Sequence, residues 1–497
     1  MGKKKKQSKQ ILLENHGVDN TLSWFLLLTI LIVPLFLRLK VTYFLVPTLN
    51  AGVSSGFKPE TTYYKAIILI TIALFMLGIF FYKLWRTGYK LPASRINPIL
   101  LILSLLILLS LLTADYKTIS LLGNFDFREG TMVTLSCLFI FFIASQITLP
   151  NKFIEKLNIV LASIVLINFS LAFFNHYGID IFQNTIVKSL LIPYKLRTEM
   201  QIEINGPLSS TIGNPNFVSG LFSALTCYFM VFSLLNKDWS RKLLYGLLSL
   251  ISIGILLFAY SSSGLLALVV TSPIIVILFL MHLDRKSIII STITIVSAII
   301  LITIFTLNSP VVNQAITAPF KELPNMLTYS SQTAKISEQL GPLELPPSGR
   351  APGSGRLYIW SETLKLSIQK PLLGYGADTL LYYFPQYEPL KRTHLISYNV
   401  GVDKPHNYYL FFAYSFGFPA LALLVLLLSL ILIKTGKATI ISNMGKYNLF
   451  LSAVLVFLIA YLTQWFFNDS VVGSAVIFWA LAGLSFGIVQ QGSNKQP

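Results

Sequence analysis

Runs of roughly 17 or more apolar residues recur along the chain, divided by short polar stretches. They lie near 21–37, 65–82, 97–113, 131–148, 153–175, 215–235, 243–260, 264–281, 287–307, 406–433, 447–467 and 471–490. A hydrocarbon layer about 30 Å thick takes roughly 20 residues of helix at about 1.5 Å rise. Each run therefore predicts a membrane-spanning helix. The expected fold class is an all-α polytopic membrane protein with about 12 transmembrane helices.

One interval breaks the rhythm. Residues 308–405 contain no spanning run, and connections longer than about 15 residues are usually functional or disordered. The first part, Pro310–Pro352, is rich in Pro, Ser and Gln without a clean period, which predicts irregular chain. Further on, Leu357, Trp360, Leu364 and Ile368 recur at three- and four-residue spacing, with glycines before them and Pro371 after. That pattern predicts an amphipathic helix over Ser354–Lys370, with Arg356, Glu362, Lys365 and Lys370 off its apolar side, lying flat in the headgroup layer. The expected organisation is a basic tail at 1–20, nine helices within 21–307, a large loop at 308–405, three helices within 406–490 and a tail at 491–497.

Composition supports this pattern: 54% of residues are hydrophobic, 12% are charged and the mean hydropathy is +0.69. A soluble domain carries about 25% charge, so a soluble enzyme with one anchor is excluded. The net charge of +18 would suggest nucleic acid in a soluble protein, but no nucleic-acid motif occurs. With the N-terminus in the cytosol, 20 Lys/Arg fall on the cytosolic side, nine in short outer loops and nine in the large loop. Acidic residues divide 15 outside to five inside. Lys and Arg resist translocation, so both termini are expected in the cytosol and the large loop outside. Lys3, Lys4, Lys5, Lys6 and Lys9 resemble a signal-peptide start, but the run after them is too long and lacks a small-residue cleavage site. Cys137 and Cys227 sit inside apolar runs and read as small core residues, with neither a disulfide framework nor a zinc site.

No GxxxxGK[ST], HExxH, GxSxG or CxxC occurs, so nucleotide-driven transport, zinc hydrolysis and serine hydrolysis lack their signatures. No carboxylate or His lies mid-span; Asp115 and Asp469 fall at outer ends, which argues against ion-coupled transport. Polar residues at the outer helix mouths remain. His406 opens the tenth run, with Asp403 read as the helix cap, and the positive end of a helix dipole favours the neutral imidazole that a general base needs. Its plainer alternative is a His that hydrogen-bonds in the headgroup layer. Arg356, after Gly353-Ser354-Gly355, suits bidentate phosphate recognition, and Arg350 is a weaker copy. Contact with lipid phosphates is the alternative for both. Arg128, beside Asp126 and Glu129, reads first as a solvated loop pair. Asn214 and Asn216, around Pro215, suit either helix capping or sugar hydroxyls, and Tyr260–Gly264 reads as a tight turn.

Taken together, Gly213-Asn214-Pro215-Asn216, the Ser-rich hairpin, Gly355-Arg356 with Trp360 four residues on, Pro371-Leu372-Leu373-Gly374-Tyr375-Gly376 and His406-Asn407 resemble the O-antigen ligase and O-antigen polymerase (Wzy-type) family. The resemblance spans Gly123 to Gly417. It implies a GT-C-like fold in the bacterial cytoplasmic (inner) membrane and an enzyme that polymerises or ligates surface polysaccharide with inversion. The implied partners are an undecaprenyl-diphosphate-linked glycan, an acceptor glycan and membrane lipids, with no metal or other cofactor. Carried over, His406 is the base, Arg356 a diphosphate ligand and Arg128 a second basic contact, with Asn214, Asn216, Trp360 and Asn407 on the substrates. The chain departs from the family where an Arg often precedes Asn-Pro-Asn, since Asn205-Gly206-Pro207-Leu208 stands there. Ser262-Ser263-Gly264 likewise replaces an expected Ser-Arg-Gly, leaving Lys195, Arg197 or Arg350 to substitute.

The alternative from another class is a flippase or transporter of lipid-linked saccharide, in which the same arginines bind diphosphate without chemistry. A scaffold subunit is a third. The charge asymmetry predicts that a single Cys introduced at Gln339 is labelled by a membrane-impermeant thiol reagent on intact protoplasts. Labelling only after the cells are opened would invert the topology.

Overall fold

The computed structural model describes residues 2–44, 56–125, 127–179, 181, 184–194, 210–281, 285–328, 348–349, 351–386, 388–398, 400–440 and 445–493. Asp126, Lys195, Arg197, Asn205–Leu208, Gln339 and Arg350 lie outside the described residues. The chain begins with α1 (Gly2–Leu35), a hairpin of β1 (Lys40–Phe44) and β2 (Gly56–Glu60), α2 (Tyr63–Thr87), α3 (Ile96–Thr113), α4 (Lys117–Leu122), α5 (Thr131–Gln146), α6 (Phe153–His176) and α7 (Thr185–Leu191). It continues with α8 (Pro215–Leu235), α9 (Trp239–Phe258), α10 (Ser262–Leu280), α11 (Arg285–Asn308), α12 (Pro310–Thr328) and α13 (Arg356–Gln369). Two short turns, α14 (Leu380–Tyr383) and α15 (Pro389–Arg392), lead to α16 (Tyr408–Ile440), α17 (Asn448–Gln464) and α18 (Val472–Ser493).

Among the described residues, nine helices are long and apolar enough to cross a membrane; α5, α17 and 292–308 of α11 are shorter apolar helices. Together they meet each of the twelve predicted runs. Helices α8 and α18 are apolar all round because they are enclosed all round, α8 by α9, α10 and α17, and α18 chiefly by α5 and α1. The peripheral α2, α3 and α10 keep most of their surface for lipid.

Two features depart from these expectations. Pro310–Thr328 is helical rather than irregular: Val312, Ile316, Phe320, Leu323 and Leu327 recur at helical spacing beneath the Pro-rich composition. Helix α13 forms where predicted; Tyr358, Ile359, Thr363 and Ser367 are its buried residues, with α16 packed on the helix, and Leu364 and Ile368 are exposed. The β1–β2 hairpin, antiparallel with Lys40 opposite Glu60, was not predicted at all.

The long helix α16 is broken at Gly417, whose φ of 85° and ψ of 166° leave helical space. A break frees backbone groups that a buried segment must satisfy elsewhere. The Pro371–Gly376 motif does this. The amides of Tyr375 and Gly376 donate to the carbonyls of Tyr414 and Ser415 at 2.9 and 3.0 Å, and Phe418 N–H donates to Pro371 at 2.8 Å. Ser110 Oγ adds a second bond to the Ser415 carbonyl at 2.7 Å. Glycine is required at this crossing, because a Cβ on Gly417 would lie 2.3 Å from the Leu372 carbonyl oxygen and one on Gly374 2.4 Å from that of Tyr414. Gly417→Ala is expected to remove folded protein or cost about 3 kcal/mol or more. Gly78→Ala, where an added Cβ meets nothing within 4 Å, is the control, and thermal unfolding in detergent compares the two.

Candidate active site

At one end of the bundle the α4–α5 connection, the 371–407 segment and the α17–α18 connection converge on a buried lysine. Lys404 Nζ lies 2.6 Å from Asp378 Oδ1 and 2.9 Å from Glu129 Oε2, with its side chain 1% exposed, and sits over the Phe411 ring at 4.2 Å. Asp378 Oδ2 in turn accepts the amides of Asn124 at 2.8 Å and Glu129 at 3.0 Å. Burial works against the ammonium, but Asp378, Glu129 and Asp469 together outweigh it and hold its pKa above the usual lysine value. Burial raises the Glu129 carboxyl to about 7 despite Lys404, and Asp378 and Asp469 add to the rise.

His406 follows two residues after this anchor. Its Nδ1 lies 2.9 Å from Asp469 Oδ2; the imidazole is 37% exposed and the carboxylate side chain 0%. Asn407, not Asp403, caps α16: its side-chain oxygen accepts the amides of Tyr409 at 3.0 Å and Leu410 at 3.1 Å. Asp469 is steadied by its neighbour. Asn468 Nδ2 donates to Ser263 Oγ at 2.8 Å, Ser263 and Ser261 hydroxyls share a bond of 3.1 Å, and Ser261 Oγ donates to Asn216 Oδ1 at 2.8 Å. The Ser-rich turn is therefore a relay between the mouth of α8 and the segment bearing Asp469. Asn214 caps α8, accepting the Asn216 amide at 2.9 Å.

Arg356 opens α13 after Ser354 and Gly355, both at positive φ. Its Nε is buried and has no hydrogen-bond partner among the described residues, and the same holds for Asp469 Oδ1. Burial lowers the guanidinium's pKa, opposed through space by Asp469 and Glu322. Trp360, one turn further along α13, donates its indole N–H to the Pro405 carbonyl at 2.9 Å and so ties Arg356's helix to His406. Arg392 pins the same loop from within, its guanidinium donating to the carbonyls of Gln386, Tyr398 and Val400.

The other candidates are placed differently. Arg128 Nε and Nη2 grip Glu60 at 2.8 and 2.7 Å, with the guanidinium over the Tyr63 ring at 5.2 Å. Its charge is matched by the unpredicted hairpin, not by Glu129, which serves Lys404; an anion there would compete with Glu60. Arg128, Asp378 and His406 all hold positive φ, a strain that persists where surroundings over-determine it, and such strain concentrates at functional sites.

The fold is that of an all-α polytopic membrane protein with a His–carboxylate pair and an arginine at its loop end. Residues 247–425 match the family model described as O-antigen ligase, the family that the sequence motifs resemble. His406, Arg356, Trp360, Lys404, Asp378 and Asn407 fall inside the match; Asp469, Arg128, Asn214 and Asn216 fall outside. No curated protein matches the chain. Such a match points to O-antigen ligase-type activity on surface polysaccharide.

Lys404→Met leaves Glu129 and Asp378 buried without their cation and is expected to cost about 3–5 kcal/mol. Adding Glu129→Gln and Asp378→Asn should recover part of that loss. Thermal unfolding of the two proteins in one detergent measures the difference, and equal melting of Lys404→Met and the unaltered protein would refute the anchor.

Proposed function

We propose that this protein transfers a glycan from undecaprenyl diphosphate to an acceptor hydroxyl at the extracytoplasmic face of the membrane, with inversion and without a metal. One observation carries the reading: a His–Asp pair and an arginine whose buried Nε has no hydrogen-bond partner among the described residues are tied together through Trp360 and Pro405. Asp469 accepts from Nδ1–H and so favours the tautomer in which Nε2 is the base. The acceptor oxygen attacks the anomeric carbon as Nε2 takes its proton. The bond from that carbon to the diphosphate oxygen breaks, and its electron pair leaves on the diphosphate. Arg356 stabilises the charge developing there, and the preorganised positions of both groups lower the barrier by orientation and electrostatics. The polyprenyl chain reaches this end sideways from the outer leaflet.

A flippase needs the arginine but not the base, so His406 separates the readings. His406→Ala is expected to abolish transfer. Short lipid-linked units accumulating outside while long chains vanish would mark a polymerase; long lipid-linked chains left untransferred would mark a ligase. An unchanged size profile of lipid-linked and surface saccharide, at equal expression and with a shown requirement for the unaltered protein, would remove His406 as base and favour transport. In the same assay Arg356→Lys should lower turnover at least tenfold although charge is kept, since a planar two-point contact is lost.

A further inference from the structure

Beside the charged centre lies a cluster of tyrosines that the proposed chemistry does not use. Tyr116, on the elbow between α3 and α4, packs on Tyr382 at 4.5 Å between ring centroids and on Tyr383 at 5.5 Å. Tyr383 continues to Tyr375 at 4.5 Å. The rings are held by polar contacts at their rim. Tyr383 Oη donates to Asp115 at 2.5 Å, and Lys370 Nζ pairs with the same carboxylate at 3.2 Å while lying over Tyr375 at 4.5 Å. The elbow and the loop are locked together beneath them, since the Ala377 amide donates to Ser120 Oγ at 3.1 Å and Gly376 leaves no room for a Cβ against Ala114.

Three properties define what such a surface takes. Tyr116 and Asp115 are exposed and Tyr382 and Tyr383 half-buried, so ring surface faces outward. The hydroxyls of Tyr116 and Tyr382 make no hydrogen bond to the described residues and are available as donors and acceptors. Lys370 is already paired with Asp115, so the cluster is charge-balanced and offers an anionic headgroup no net attraction. Flat aromatic faces with phenol hydroxyls and a carboxylate at the edge suit a neutral polyhydroxylated ring, whose C–H face packs on the aromatics while its hydroxyls meet the polar rim. Tyr382 also lies within electrostatic reach of Asp378, the carboxylate that anchors Lys404 two residues before His406.

We propose that Tyr116, Tyr382 and Tyr383, framed by Asp115 and Lys370, form a glycan-binding platform that holds sugar residues of the acceptor chain. This rests on glycan transfer as the activity, so its test reads binding with no donor present.

The full-length protein in phosphatidylcholine nanodiscs is titrated with oligosaccharides released by mild acid from the producing cells' own surface polysaccharide and tagged with a fluorophore at the reducing end. The unaltered protein should bind, and the Tyr116→Ala/Tyr382→Ala double variant should bind at least tenfold more weakly. The Tyr116→Phe/Tyr382→Phe pair, which keeps the rings and the packing, should fall between them and serves if the alanine variant fails to fold. Lack of binding by the unaltered protein, or equal affinity in all three, overturns the platform. So does a variant that binds oligosaccharide normally but loses thermal stabilisation by phosphatidylglycerol, which would make the cluster a headgroup anchor. Failure of the transfer reading itself shows separately, as unchanged saccharide profiles in the His406→Ala cells.

Discussion

Lys404 joins three segments that no helix packing would bring together. Its ammonium is shared by Glu129, which ends the α4–α5 connection, and Asp378, which also receives two amides of that connection. Taking one ammonium and two carboxylates out of water costs several kcal/mol per ion, and only good geometry with every remaining lone pair engaged repays it. Here Asp378 Oδ2 receives the amides of Asn124 and Glu129 while Oδ1 faces the ammonium. What the arrangement secures is position. His406 stands two residues beyond Lys404, its imidazole against Asp469, and Pro405 between them receives the indole N–H of Trp360. Arg356, one turn before Trp360, inherits its place from the same lysine.

A second constraint comes from the membrane. A chain threaded through lipid must satisfy its backbone polar groups internally, yet α16 is broken at Gly417 near the loop end. The break is filled by Pro371–Gly376, which exchanges amide and carbonyl bonds with 414–418 much as a strand would. The two glycines that the crossing needs most, Gly374 and Gly417, are there because backbone approaches backbone too closely for a side chain. This sequence motif is thus a docking device that holds the large loop against the bundle, not a source of reactive groups. It also explains why Asp378 and the tyrosines that follow it lie where they do.

The twelve helices were legible because lipid imposes one requirement on each segment separately, and a run of apolar residues meets it without reference to any other part of the chain. His406 and Arg356 stand out by residue type and helix position, and the Trp360–Pro405 hydrogen bond links the segments that carry them. Their partners were not. Asp469 is 63 residues from His406, Glu129 is 275 from Lys404 and Glu60 is 68 from Arg128; pairing across such intervals leaves no periodic trace. Neighbours in sequence misled instead, as when Glu129 was matched to Arg128 and Asp403 to the cap of α16. The face of α13 that meets protein was not legible, because in a membrane protein an apolar side chain has two apolar places to go: Leu364 and Ile368 stay exposed, and the polar Thr363 and Ser367 are the ones that have protein around them.

The centre also keeps two opposite charges from cancelling each other. Asp469 spends one oxygen on His406 and leaves Oδ1 buried without a hydrogen-bond partner among the described residues; Arg356 leaves Nε in the same condition, though each feels the other through space. Were they joined, the guanidinium would be neutralised by protein and of little use to an anion, which is the state of Arg128 on Glu60. Holding them apart requires the supports to be rigid. The indole bond of Trp360 holds the segment of Arg356 and the Asn468–Ser263–Ser261–Asn216 relay holds that of Asp469. An arginine kept buried and unspent is costly in a folded protein and inexpensive only once an anion sits on it. In the proposed reaction that cost falls when a diphosphate binds, and falls further as charge accumulates on the departing oxygen, which is the condition for catalysis rather than mere binding.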